Sequence, residues 1–221
     1  MALLLKRTLG EIRSDIQTRL GFGMAGQAGV VNSPLIDSMI NSGQRQLYQQ
    51  FDWLEMRGVE ERLTGASQQY YDYPTDCDVE RIQGIWIKRS GRYYPLLEGI
   101  SFYDRDYNPG GGFLKYERRD QYEFWPIPST NSYSIRIEYV KALPQMVLSS
   151  DRTSLPSEMV YLHALANAKL HYRQPDAPTY STQLDNLMMQ LKAKHRAKTV
   201  WGPTKIVSPY EQGSLDSWSP L

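Results

Sequence analysis

The chain of 221 residues sets 25 Lys and Arg against 24 Asp and Glu, a formal charge of +1, with 41% hydrophobic and 22% charged residues. That balance can bury a globular core, and it excludes a global basic field that would draw in nucleic acid or an anionic membrane, so any such contact must be local. The single cysteine, Cys77, excludes an internal disulfide and fits synthesis in a reducing compartment. In MALLLKR the apolar run is too short for a signal segment, and its cations follow rather than precede it. No stretch is long enough to span a bilayer, so the expectation is a soluble protein made in the cytoplasm, without membrane contact.

In chain order, TLGEIRSDIQTRLG predicts a first helix. Thr8 and Glu11 have capping-box spacing, Leu9, Ile12, Ile16 and Leu20 recur at helical intervals, and Gly21 can close the last turn. The uncharged GFGMAGQAGVVN, residues 21–32, reads as a flexible or extended crossover. Ser33 followed by Pro34 then predicts the N-cap and first turn of a second helix, with Ile36, Met39, Ile40, Gly43, Leu47 and Phe51 on one face and an end near Phe51-Asp52-Trp53.

From about Met56 the period changes to two and aromatic residues take over. VEERLT and QQYYDYP flank a TGAS turn, RIQGIWIK and RYYPLLE flank RSG, and FLKYER leads through Arg119-Asp120 into YEFWPIP and YSIRIEYV. These runs predict an antiparallel, meander-like sheet or sandwich. In the last run Tyr133, Ile135, Ile137 and Tyr139 face one way, and Ser134, Arg136, Glu138 and Val140 the other. EGISFYDRDYNPGG reads as a short helix or long loop ending in a glycine-rich turn.

Helical spacing returns with Ser157 as the expected cap of a helix that buries Met159, Leu162, Leu165, Ala166 and Leu170 and stops at Gln174-Pro175. A last helix is expected from about Thr179 to Lys198, with Tyr180, Leu184, Leu187, Met188 and Leu191 inward. WGPTKIVSPYEQGSLDSWSPL has too little apolar surface to fold alone, yet its tryptophans are unusual in a disordered tail, so it reads as an arm that orders against a partner. The fold class is therefore α+β. An α-helical bundle is built from N- and C-terminal segments 1–55 and 155–199, with a β-rich antiparallel insert over 56–154 and an extended C-terminal arm over 200–221.

No run carries a strong catalytic or metal signature. His163 and His171 share a helix face but stand too far apart to hold one ion, and with His195 they read as structural or surface residues. Asp104, Asp106 and Asn108 have the spacing of a calcium loop, but the glycines fall at positions 110, 111 and 112 and Lys115 lies near where a closing Glu should stand, so a plain surface loop is the better reading. Glu117 and Glu123, on adjacent expected strands, are the one candidate acid/base pair for glycan cleavage, against the plainer reading of a solvated sheet face. Cys77 lacks a partner motif and reads as inert. The strand tyrosines read as sheet packing rather than base-stacking platforms. Lys192, Lys194, Arg196 and Lys198 complement the dipole of the last helix without any ligand, and are kept as a weak DNA-facing candidate.

The order of features carries more than any single residue. Leu47-Tyr48 with Phe51-Asp52-Trp53 ends a helix, Tyr73-Pro74 with Asp76 leads into the sheet, Trp125-Pro126-Ile127-Pro128 precedes the strand Tyr133 to Tyr139, and Leu155-Pro156 leads into the next helix. From Thr8 to Arg173 this order resembles the head-to-tail adaptor proteins of tailed phages, in particular the connectors of short-tailed phages, a group that includes the tail tubular protein A and tail accessory factor types. Tyr73 stands where Leu is commoner. The resemblance implies a virion protein made in the host cytoplasm, without cofactor, metal or catalytic residues, that forms a homo-oligomeric ring of twelve under the portal protein and continues the channel for double-stranded DNA. It also implies an arm gripping the portal, for which Trp201, Ile206, Tyr210 and Trp218 are the expected anchors. A tip at Pro128, Ser129 and Asn131 is expected to touch the tail nozzle or hub protein. The alternatives are a tail-associated glycan- or peptidoglycan-cleaving enzyme using Glu117 and Glu123, and a neck or head-completion protein of a long-tailed phage.

Overall fold

The computed structural model describes residues 6–22, 27–107, 109, 112–128 and 133–196. Helix α1 (Leu9–Arg19) begins at the expected capping box, where Thr8 Oγ1 accepts from Glu11 N at 3.2 Å and Thr8 N donates to Glu11 Oε2 at 2.8 Å. Helix α2 (Gln27–Gln50) starts earlier than the sequence pattern suggests, so Gln27 to Asn32 belong to the helix rather than to a crossover and Pro34 lies inside it. Ser33 does not cap: its hydroxyl accepts from Gln17 Nε2 at 3.0 Å, and Asn32 Oδ1 accepts from Tyr172 Oη at 2.8 Å. An interior proline forfeits one helical hydrogen bond, at roughly 3 kcal/mol. These side-chain anchors and the full burial of Ile36, Ile40 and Leu47 offset that cost.

Helices α4 (Ser157–His171) and α5 (Ala177–Arg196) complete the helical body. Ser157 is the first residue of α4 rather than its cap. Its hydroxyl accepts from Arg7 N at 2.8 Å and lies 3.0 Å from Thr153 Oγ1, tying the helix start to the strand-like segment before α1. The first core gathers Leu9, Ile12 and Ile16 from α1, Ile36, Ile40 and Leu47 from α2, Met159 and Leu165 from α4, and Leu184 from α5, the helical faces read from the sequence. Leu170 is the exception, since it lies exposed.

The β-rich middle is a sandwich of two four-stranded sheets. One has the order β1 (Arg57–Leu63), β8 (Ser134–Lys141), β3 (Cys77–Arg89) and β4 (Arg92–Pro95). The other has the order β2 (Tyr70–Tyr71), β7 (Tyr122–Trp125), β6 (Lys115–Arg118) and β5 (Leu97–Glu98), in which β5 and β6 run parallel. The RSG turn does close a β3–β4 hairpin, and β6 and β7 do pair. The runs around TGAS do not pair with each other: β1 joins β8, and β2 joins β7 in the opposite sheet. Thr64 explains the change of sheet, because its N–H and hydroxyl both donate to Tyr133 O, at 2.9 and 3.0 Å, which ends β1 against β8. Gly65 N then donates to the hydroxyl of Tyr71, whose ring is buried in the facing sheet.

Between the sheets, Ile85, Ile87, Ile135, Ile137 and Tyr139 meet Tyr71, Phe113, Tyr116, Tyr122 and Phe124. β8 keeps the predicted alternation, but Val140, on its wet side, is fully buried because the first core reaches it there. Short helix α3 (Phe102–Asp106) follows β5 and opens with its own capping box from Ser101 and Asp104.

Where α2 crosses α4, Gly43 permits a close approach: a methyl group at that position would stand 2.7 Å from His163 Nδ1. Burial also pushes the His163 imidazole below its ordinary pKa, so the folded state holds it neutral. We expect Gly43→Ala to cost about 1–3 kcal/mol of stability by overpacking, read as a lowered denaturant midpoint at unchanged slope. An unchanged midpoint would show that the two helices have room to part.

Candidate functional site

The features from which a site can be built are the joint between the two cores and the open surfaces of the sandwich. The joint is polar and centres on Arg81 of β3. Arg81 Nη1 donates to Tyr48 O at 2.9 Å, Nη2 donates to Phe51 O at 3.1 Å and pairs with Asp52, and the guanidinium carbon lies 4.4 Å from the centroid of the Tyr48 ring. A strand residue thus satisfies the orphan carbonyls at the C-terminal end of α2, where the dipole favours a cation. Asp52 in turn accepts from Gln83 Nε2 at 2.8 Å.

Tyr48 completes the joint from the helix side. Its hydroxyl lies 2.7 Å from Asp78 Oδ2, to which it donates, and 3.0 Å from Lys141 O, so it reaches both β3 and β8. Burial and the Asp78 carboxylate push its pKa well above the ordinary tyrosine value, which keeps the donor proton in place. Asp76 accepts from Tyr139 Oη at 2.6 Å and pairs with Lys141 at 2.9 Å. Cys77, beside these carboxylates, is pushed up to about 11 by burial first and then by Asp78 and Asp76, so it is a protonated, unreactive thiol at neutral pH. Trp53, fully buried beneath the joint, donates from Nε1 to Leu47 O at 2.8 Å.

The carboxylate pair singled out in the sequence does come together. Glu117 and Glu123 are direct cross-strand partners on the outer face of the β2-β7-β6-β5 sheet, beside a cavity of about 420 Å³ lined in part by Gln69, Tyr70 and Trp125. Two carboxylates at paired positions repel unless cations intervene. Arg105 of α3 supplies one, donating to Glu123 Oε1 at 3.2 Å and Oε2 at 3.0 Å and pairing with Glu117. Arg119 adds contacts to Glu117 at 3.2 Å and to Glu123 at 3.7 Å. The pair is cross-linked by guanidinium groups, an arrangement that fastens α3 to the sheet. Asp104 adds to this fastening by pairing with Lys115 at 2.7 Å, and that pair with the Ser101 hydrogen bonds draws its carboxyl down to about 2. Asp104 is thereby committed to helix capping and to Lys115 instead of a calcium loop. Among the described residues no cluster of three His, Cys, Asp or Glu side chains is placed to hold a metal ion.

The remaining sequence candidates are scattered. Lys192 lies 5.9 Å from the Phe51 ring centroid and Lys194 is exposed near the end of α5. The side chain of Arg196 and all of Lys198 lie outside the described residues, as do Ser129, Asn131 and the anchors Trp201, Ile206, Tyr210 and Trp218. Pro128 is buried rather than exposed at a tip, and its carbonyl accepts from Ser67 N at 2.9 Å. No described helix is long and apolar enough to cross a membrane.

The described residues thus build an α+β protein in which a helical body is joined through a polar network to a β-sandwich whose paired carboxylates, Glu117 and Glu123, are bridged by arginines. Among protein families, the SU10 adaptor protein family matches residues 7–213, and the chain belongs to it. It is a phage adaptor, a structural component of the virion that interacts with portal and tail. No curated protein matches the chain.

Sequence reading missed Arg81, because an arginine in an alternating strand looks like a solvated-face residue. Its place in DVERIQGIW carries no local signal, because contact with the α2 terminus depends on which strands lie side by side. We expect Arg81→Met, which keeps the aliphatic stem, to strand the α2 carbonyls and cost about 1–3 kcal/mol, measured by denaturant unfolding. A change within error of zero would show that water replaces the guanidinium without loss.

Proposed function

We propose that this protein is the head-to-tail adaptor of a phage particle, similar in role to the tail tubular protein A and tail accessory factor types. In this reading copies form a ring of twelve beneath the portal, join the DNA-filled capsid to the tail nozzle or hub, and continue the channel through which DNA is ejected. The observation that carries it is the extent of the family match, which runs through the helical body and the sandwich and past the end of α5 to residue 213. The segments 1–55 with 155–199, 56–154 and 200–221 are then three working parts, for ring building, tail contact and portal contact. The protein is made in the host cytoplasm and works by buried area and geometry, so it needs no cofactor and performs no reaction.

Within that reading the arm grips the portal through Trp201, Ile206, Tyr210 and Trp218, because large aromatic and aliphatic anchors dominate interface energy. Three of these four fall within the matched residues and Trp218 falls beyond them. Lys192, Lys194, Arg196 and Lys198 face the DNA path from the end of α5. Sparse cations suit that position, since a strongly basic lining would hold the duplex instead of letting it pass. The β7–β8 connection, with Pro128, Ser129 and Asn131, meets the tail component, Pro128 acting from within as the support of that connection.

Deleting 201–221 should leave the melting temperature of the helices and sandwich unchanged while abolishing co-sedimentation with purified portal rings. Full-affinity binding of the truncated chain to portal rings would remove the arm from the interface.

A further inference from the structure

Helix α3 presents its residues the wrong way round for a surface helix. Its charged Asp104 and Arg105 face the sheet, pairing with Lys115, Glu117 and Glu123, while Phe102 and Tyr103 are 74% and 83% exposed. Tyr107, just after it, is 66% exposed, although its carbonyl is fixed by the Trp125 indole at 2.9 Å. The outward set of the aromatics is therefore imposed by ion pairs and two capping bonds, and Leu97 extends the ridge along the row of β6 and β7 that carries Lys115 and Trp125. Exposed large apolar groups gathered on one ridge mark a contact surface.

The opposite side of the sandwich carries a second apolar patch. On the outer face of the β1-β8-β3-β4 sheet, Leu63, Ser134, Lys88 and Tyr93 form one cross-strand row, with Leu63 78% exposed and Tyr93 partly open. The next row holds Glu61, Arg136 and Trp86. The two outer faces look away from each other because both inner faces fill the same core. Lys88 stacks 5.3 Å from the Tyr93 ring and has no carboxylate partner among the described residues, and the exposed Asp106 at the end of α3 likewise has no cation partner among them.

We propose that the ridge of α3 on one copy seats on the Leu63–Lys88–Tyr93 row of the next copy, with Asp106 meeting Lys88. Two different patches on opposite faces of one sandwich make a heterologous contact, which propagates from copy to copy and closes when the rotation per copy divides the circle. The unpaired charges of opposite sign, one on each patch, single out a second copy as the occupant. The inference rests on the ring reading above and gives it a specific interface outside the helical body.

Sedimentation of three proteins over a range of concentration tests it: the wild type, a ridge variant with Phe102→Asp and Tyr103→Asp, and a sheet variant with Leu63→Asp and Lys88→Glu. Each variant should melt as the wild type does, since the altered side chains are surface groups, and should self-associate at least about tenfold more weakly. An equimolar mixture of the two variants should form one-to-one dimers and nothing larger, because each dimer joins the intact ridge of one chain to the intact sheet face of the other. The exchanged pair Asp106→Lys with Lys88→Glu should restore association that either change alone weakens. Variants that associate as tightly as the wild type, or a mixture that stays monomeric, overturn the contact while leaving a ring built by other surfaces. A ridge variant that still assembles fully but no longer attaches the tail also overturns it, and assigns the ridge to the tail partner. A wild type that never self-associates, free or on portal rings, removes the ring reading itself.

Discussion

The guanidinium of Arg81 is the constraint on which the relation between body and sandwich depends. It takes up the carbonyls of Tyr48 and Phe51 at the end of α2, pairs with Asp52, and lies against the Tyr48 ring, while the Tyr48 hydroxyl returns to β3 and β8. A hydrophobic joint between two cores tolerates sliding, since burial is non-directional. Charge-assisted hydrogen bonds to specific carbonyls fix direction as well as distance. Directional fixing of this kind holds the helical body and the sandwich in one relation.

The same logic recurs at α3. Glu117 and Glu123 would repel as cross-strand neighbours, and Arg105 turns that repulsion into the attachment of a helix whose aromatic side then has no option but to face outward. Polar contacts do the internal positioning at both places, and at α3 the aromatic side chains of Phe102 and Tyr103 are left exposed. That is the reverse of the usual division within a monomer, and it suits a component whose final environment is an assembly.

Much of this was legible in the sequence, and the failures have physical causes. The capping box at Thr8 and Glu11, the helical faces of α1, α2 and α5, and the alternation of β8 all follow from periodicity, which depends on local geometry alone. Which sheet a strand joins does not. The runs flanking TGAS look like a hairpin, and it is pairing with distant strands, of β1 with β8 and of β2 with β7, that sends them to opposite sheets, with Thr64 bonded to Tyr133 at the end of β1. Ser33 and Ser157 look like caps because serine at a helix start usually is one, yet distant partners, Gln17 and Arg7, claim both hydroxyls. Among the functional residues, the order of the Leu-Tyr, Phe-Asp-Trp, Tyr-Pro and Pro-x-Pro motifs pointed to the family, whereas Arg81 and the inverted faces of α3 require knowing which strands lie side by side.

In the proposed function this chain works as one of many copies joined around an axis. A cryo-EM reconstruction of the head-to-tail junction from assembled particles tests it most directly. The expected result is a closed ring of this chain between portal and tail, with each sandwich held to its helical body through the Arg81 joint. A single copy at that position, or copies whose sandwiches sit at differing angles to their helices, would contradict it.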